Sequence, residues 1–266
     1  MEPASPSPRL RVQLRLFGEP LTVEAPQPAG AVTPDALLPF FRTFADALVE
    51  RSTARSAAAG KPLSCRRGCD VCCRSQPVPV APMEAFALAE LVEAMPEPRR
   101  SEIRARFADR VARLEAAGLA AVWRTGLSET GEAGDADAER FHRLGLACPF
   151  LEADGACGIY EHRPLVCRRY VVSSPAENCT DPFQRPIEPI PVPMNPLVAG
   201  IRAAGRLAGR ETPPTLLILA LEYAERHRAE LSRRYPAEAV FGAWMSELAG
   251  GPPPGPTAPV SPPPRP

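Results

Sequence analysis

The sequence predicts a mainly α-helical fold with one small N-terminal β-hairpin. Three observations carry this. Apolar residues recur at helical spacing in four stretches, 34–50, 82–94, 100–116 and 213–232. Strict alternation of apolar and polar residues is convincing only once, over 9–25. The repeated strand–helix units that a parallel sheet or barrel needs are absent.

Residues 1–8 are acidic and proline-rich and are expected to be disordered. In 9–25, Leu10, Val12, Leu14 and Leu16 share one face opposite Arg9, Arg11, Gln13 and Arg15, and Leu21 and Val23 resume the pattern after a turn at Gly18-Glu19-Pro20. Thr33-Pro34 is a helix start, Thr33 as N-cap and Pro34 at N1. Leu37, Phe41, Phe44 and Leu48 then form one apolar stripe. A loop closed by Gly60 and Pro62 follows, and Pro77-Val78-Pro79-Val80 must be extended.

Pro82 opens a helix striped by Met83, Phe86, Ala87 and Leu91, which Pro96-Glu97-Pro98 breaks. Ile103, Phe107, Val111 and Leu114 stripe the next helix. Residues 126–138 read as a mobile acidic loop. Asp154-Gly155 marks a turn, and Pro164 opens a short helix containing Cys167. Six prolines between 182 and 196 preclude a regular element. Two or three helices fill 196–249, one announced by Thr212-Pro213 and striped by Leu217, Leu221, Ala224 and Leu231. The chain thus divides into a disordered start and hairpin (1–30), a central domain (31–182), a C-terminal helical extension (183–249) and a disordered proline-rich tail (250–266).

The 266 residues carry zero net charge, so composition points to neither a nucleic-acid nor a membrane-surface partner. Lys61 is the single lysine, in keeping with a chain dominated by Ala, Arg, Pro and Gly. The longest apolar stretch, 216–224, broken by Glu222, is less than half of the ~20 residues a membrane helix needs, and no secretory signal is visible. A cytoplasmic location follows as the expectation, where thiols stay reduced.

All eight cysteines lie between 65 and 179: Cys65, Cys69, Cys72 and Cys73, then Cys148, Cys157, Cys167 and Cys179. Incidental core thiols would not bunch in this way, and in a reducing compartment a bunch points to metal binding rather than disulfides. Cys69-x-x-Cys72 has metal-knuckle spacing, and Cys65 lies one turn earlier. Side chains of sequence neighbours such as Cys72 and Cys73 are expected to diverge rather than serve one tetrahedral ion, so eight thiols fit either two four-ligand centres or one cluster with spare thiols. Zinc and an iron–sulfur cluster both suit such donors. The central domain is therefore expected to be helical, with a cysteine-ligated metal centre held by loops. Arg66, Arg67, Arg74, Arg163, Arg168 and Arg169 stand near the cysteines and would offset thiolate charge. His142 and His162 stay outside the ligand set, because eight thiols suffice.

Ordered words surround these cysteines: Cys65-x3-Cys69-x2-Cys72-Cys73, Pro-Val-x-Val-x-x-x-Glu over 77–84, Cys148-Pro-Phe-Leu, Asp154-Gly-x-Cys157-x-Ile-Tyr and Arg163-Pro-x-x-Cys167-Arg. In them the chain resembles the YkgJ-type cysteine-cluster family, over about residues 60–180. The resemblance implies a zinc- or iron-chelating domain, and Cys179 agrees with its trailing eighth cysteine. Some relatives are flagellin lysine N-methylases, so the alternative implied is S-adenosylmethionine-dependent methylation of protein lysines. No glycine-rich loop after a strand supports binding of that cofactor in a doubly wound fold. Cys65-x3-Cys69-x2-Cys72 also has radical S-adenosylmethionine spacing, but the barrel such enzymes need has no counterpart here. A third reading makes the metal a mere staple and the tail, with Pro252–Pro254 and Pro262–Pro264, a polyproline ligand for a protein partner. No other partner is indicated.

Overall fold

Strands β1 (Arg9–Leu16) and β2 (Glu19–Pro26) pair antiparallel in full register, from Arg9 opposite Pro26 to Leu16 opposite Glu19. The turn is Phe17-Gly18, with φ of +53° and +86°, not the expected Gly18-Glu19-Pro20. Positive φ at both central residues matches the right-handed twist of the strands, and that geometry lets Glu19 and Pro20 pair already. The structure, a computed structural model, describes residues 9–125 and 132–250. The expected disorder at 1–8 and 251–266 and the first half of the acidic loop, 126–131, lie outside the described residues.

After β3 (Ala31–Val32), a 3-10 turn at Pro34–Leu37 leads into α1 (Leu38–Ala58). Thr33 is the extended N-cap residue, although its side chain caps no backbone N–H. Leu37, Phe41, Phe44 and Leu48 are all buried, as their spacing predicts. The cysteine loop ends in α2 (Val71–Ser75). Then come β4 (Pro79–Val80), α3 (Pro82–Glu93), α4 (Arg99–Ala116), α5 (Ala120–Arg124) and α6 (Glu132–Arg143). Residues 132–138 are thus helical where a loop was expected; α6 is anchored by Phe141, 1% exposed, packed edge-on against Trp123.

The short α7 (Leu165–Arg169) follows Pro164, and α8 (Pro196–Ala208) follows the proline-rich run. The helix expected over 213–232 is broken into β5 (Thr215–Leu216), a 3-10 turn at Leu217–Leu219, α9 (Ala220–Arg226) and α10 (Arg228–Leu231). The cause is tertiary: Leu216 pairs with Pro79 and Thr215 with Val80, which holds the first residues extended. β6 (Tyr235–Pro236) pairs with β3, and α11 (Ala237–Ala249) closes the described chain. Among the described residues every sheet is a two-stranded antiparallel pair, so the fold is mainly α with the predicted hairpin. No described helix is long and apolar enough to cross a membrane.

The largest apolar core joins the hairpin, α1, α8 and α11, and reaches Leu165 of α7. Trp244, with no exposed surface, stacks on Phe41 with ring centroids 3.6 Å apart, and its Nε1 donates to the Pro196 carbonyl at 2.9 Å. Gly200 of α8 lies under that indole, where a Cβ would come within 2.7 Å of the ring. Gly200→Ala is therefore expected to cost about 1–3 kcal/mol through overpacking. A lowered urea midpoint with unchanged slope would show it; an unchanged midpoint would mean the ring has room to move. A second core joins α3 and α4 with Phe150, Ile159, Leu217 and Tyr223. The cysteine loops lie where these cores meet: α7 feeds the first, while Cys148 and Cys157 pack against the second.

Candidate metal centre

The first cysteine group is built from tight local turns. Gly68 takes φ +83°, which a Cβ would strain, and the Cys69 N–H donates to the Arg66 carbonyl at 2.9 Å. Asp70 stands at the N-cap position of α2, which carries Cys72 and Cys73, and pairs with Arg74. The loop's start is pinned to the chain beyond Cys167. The Ser64 N–H donates to the Val172 carbonyl and its Oγ to the Ser173 carbonyl, both at 2.9 Å.

The second group is set by a small hairpin-like turn. Leu151 bridges Cys157, the Glu152 N–H donates to the Ala156 carbonyl at 2.8 Å, and the Ala156 N–H donates to Asp154 Oδ1 at 2.9 Å. This is the Asp154-Gly155 turn, and Gly155 sits against Asp70, where a Cβ would be 3.0 Å from Oδ2. The Cys148 N–H donates to the Cys73 carbonyl at 2.7 Å. The two groups, 75 residues apart in sequence at this point, are thereby joined directly.

The electrostatics tell the same story. Charge on Cys72 would be felt at Cys65, Cys148, Cys167 and Cys179. Cys179 is buried and the other seven are partly buried. All eight are free thiols. Burial pushes the thiols of Cys65, Cys157, Cys167 and Cys179 above their ordinary range and that of Cys148 up to about 12. Cys72 is pushed up first by its hydrogen bond with Cys73, then by burial. Among the described residues no three His, Cys, Asp or Glu side chains converge as a closed ligand set. The donors therefore fit a thiophilic metal in chemistry and neighbourhood, without forming a closed ligand set among the described residues.

A pH dependence follows for the metal-free protein. An acid whose pKa is higher in the fold than in the unfolded chain holds its proton better when folded. Stability is then full below the ordinary thiol pKa, 9.0, and falls as pH rises toward about 12, the value for Cys148. Urea midpoints of chelator-treated protein should drop across that window. A midpoint constant through it would contradict the desolvation of these thiols.

Of the six arginines singled out in sequence, Arg163 and Arg168 act on a cysteine, both favouring the Cys157 thiolate. Arg163 also stacks 3.9 Å over the Tyr160 ring. Arg168, 8% exposed, also ties the loop: it donates to the carbonyls of Arg163 and Glu161 at 3.1 and 2.6 Å and to Asp46 Oδ2 at 2.6 Å. Arg169 holds the Val192 and Met194 carbonyls at 2.6 and 3.1 Å. Arg74 is spent on Asp70, and Arg67 lies near Tyr160. Arg110 was missed in sequence; it favours the Cys148 thiolate and donates to the Ala147 carbonyl at 3.1 Å. His142 contacts the Thr180 carbonyl at 3.1 Å and His162 faces Arg42 at 3.4 Å, so both have other partners.

Glu84 stood in the sequence only as the last letter of a family word. It is 1% exposed. Its Oε2 accepts the Ala81 N–H at 3.0 Å and its Oε1 the Leu165 N–H at 2.7 Å. Pro82 at N1 with Glu at N3 is the sequence signal for the first bond. Nothing local signals the second. Burial pushes the carboxyl pKa up, and the two N–H donors with the Arg42 and Arg168 guanidiniums pull it back.

No curated protein matches the chain, and neither does any solved structure. A family model does match, over residues 64–184: CxxCxxCC, described as "Putative zinc- or iron-chelating domain". The matched segment begins at Ser64, where the loop is pinned, and runs past Cys179, so it takes in every cysteine of the chain. By that match, and by the words around its cysteines, residues 64–184 of this chain are similar to the CxxCxxCC family.

Proposed function

We propose that the protein chelates zinc or an iron–sulfur cluster through Cys65, Cys69, Cys72, Cys73, Cys148, Cys157, Cys167 and Cys179, and that the centre staples its two cysteine loops. The observation that carries this reading is the 2.7 Å hydrogen bond from Cys148 to the Cys73 carbonyl, which brings the two groups to one place. Bound zinc would supply a tetrahedral clamp with closed coordination; an iron–sulfur cluster would add an electron-accepting site. The chain's own part is to gather the thiols, exclude some of their water and set positive charge beside them. Arg163 and Arg168 at Cys157, and Arg110 at Cys148, favour the ionised sulfurs that ligation needs. The neutral thiols of the metal-free fold must release protons on binding, so affinity falls with acid.

Anaerobically purified protein tests this by metal analysis and a visible spectrum. Bound zinc without colour supports the stapling role. Broad visible absorption with bound iron and sulfide supports a cluster and a redox role. Protein that takes up neither metal, with all eight thiols reduced, would contradict chelation.

A further inference from the structure

Glu84 is the one buried carboxylate among the described residues. A carboxylate taken out of water is costly unless its lone pairs and charge are met. Capping α3 alone does not call for it, because a Ser or Thr at Ala81 would cap that helix at less cost. Ala81 has no side-chain acceptor, so the reciprocal half of a capping box is missing. The second carboxylate oxygen reaches instead to the Leu165 N–H, 81 residues along the chain. Leu165 is the first residue of α7, and the preceding Pro164 has no side chain to cap it. Two residues on stands Cys167, and the next residue, Arg168, is bonded to Asp46 of α1. Cys167 is therefore suspended between a tie to α3 and a tie to α1. Glu84's charge opposes ionisation of the Cys167 sulfur, so what it offers ligation is geometric: the bond to the Leu165 N–H.

We propose that Glu84 is a positioning residue for the cysteine centre: by bridging the N-termini of α3 and α7 it sets where the Cys167 sulfur is presented to the metal. The proposal rests on the chelating reading above. An amide in place of the carboxylate keeps the shape, but turns an N–H₂ group toward one of the two backbone donors. Partners that orient a ligand without touching the metal are worth about 10–100-fold in metal affinity.

Cobalt(II) titration of the whole, reduced protein is the test, read by the sulfur-to-cobalt charge-transfer band, whose intensity follows the number of bound thiolates. Wild type, Glu84→Gln, Cys167→Ser and the double variant are compared. The expected result is that Glu84→Gln loses the same share of the band as Cys167→Ser and about 10–100-fold in cobalt affinity. The double variant should bind no more weakly than Cys167→Ser alone, since the two act through one sulfur. A Glu84→Gln band equal to wild type, or losses that add in the double variant, would overturn the positioning role and leave a simple helix cap. If Glu84→Gln does not fold, Glu84→Asp keeps the buried charge but is too short to bridge both N–H groups. It should fold and show the same band loss, and a full band in it would overturn the proposal. A wild type that gives no charge-transfer band defeats the chelating reading itself, and Glu84's role with it.

Discussion

Trp244→Ala is expected to destabilise the protein by about 3–5 kcal/mol. The indole is completely buried between Phe41 and Gly200, and its N–H satisfies the Pro196 carbonyl. Removing it leaves a large cavity at the junction of α1, α8 and α11. Phe40 and Phe241 pack edge-on against each other, with ring centroids 5.2 Å apart. A net stability of ~5–15 kcal/mol makes such a loss a large fraction of the whole. Urea unfolding followed by far-ultraviolet circular dichroism would measure it. A loss under about 1 kcal/mol would mean that the core repacks and is less rigid than its ring geometry implies.

Metal removal is expected to act differently, as a local loss. The three apolar clusters draw mainly on helices and the hairpin, and none contains Cys65, Cys69, Cys72 or Cys73, although Leu146, Phe150, Ile159, Leu165 and Val171 of the second cysteine segment belong to them. The loop 60–75 hangs on a few backbone hydrogen bonds, such as those from Ser64 and Cys69, and 146–180 on separate buried side chains between its turns. After chelation these two segments should become the first sites of proteolysis while helical signal persists. Cys69→Ser should give the same pattern. Global unfolding on chelation would mean that the helical cores are weaker than their burial implies. An unchanged digest of protein shown to have lost its metal would mean that the centre does not organise these loops.

Most of the helical frame was legible in the sequence because its stripes are local. The 4-3-4 spacing of Leu37, Phe41, Phe44 and Leu48 is a property of one segment, and all four are buried. The break in 213–232 was not legible, since it depends on Thr215-Leu216 finding Pro79-Val80 across the fold. Residues 132–138 looked like loop because Gly, Asp and Ala carry no apolar stripe. Their helix is held through Phe141 at its far end, against Trp123. The two cysteine groups stood out in the sequence by spacing alone. What spacing could not reveal is what holds it: the Cys148-to-Cys73 bond, Arg168 among the loop carbonyls, and Glu84 between two helices. Each is a contact between distant residues, made by backbone or by charged side chains that have no periodicity.

The central claim is that the two cysteine groups form one place around Cys72 rather than two independent sites. Mapping the alkylation rate of every cysteine by mass spectrometry, with zinc added stepwise to reduced metal-free protein, tests it most directly. Cysteines from both groups, Cys72 and Cys148 foremost, should become protected together at the same zinc dose, and Cys72→Ser should strip protection from both. Protection confined to Cys65, Cys69, Cys72 and Cys73, with Cys148, Cys157 and Cys167 still reacting at their metal-free rates, would contradict it.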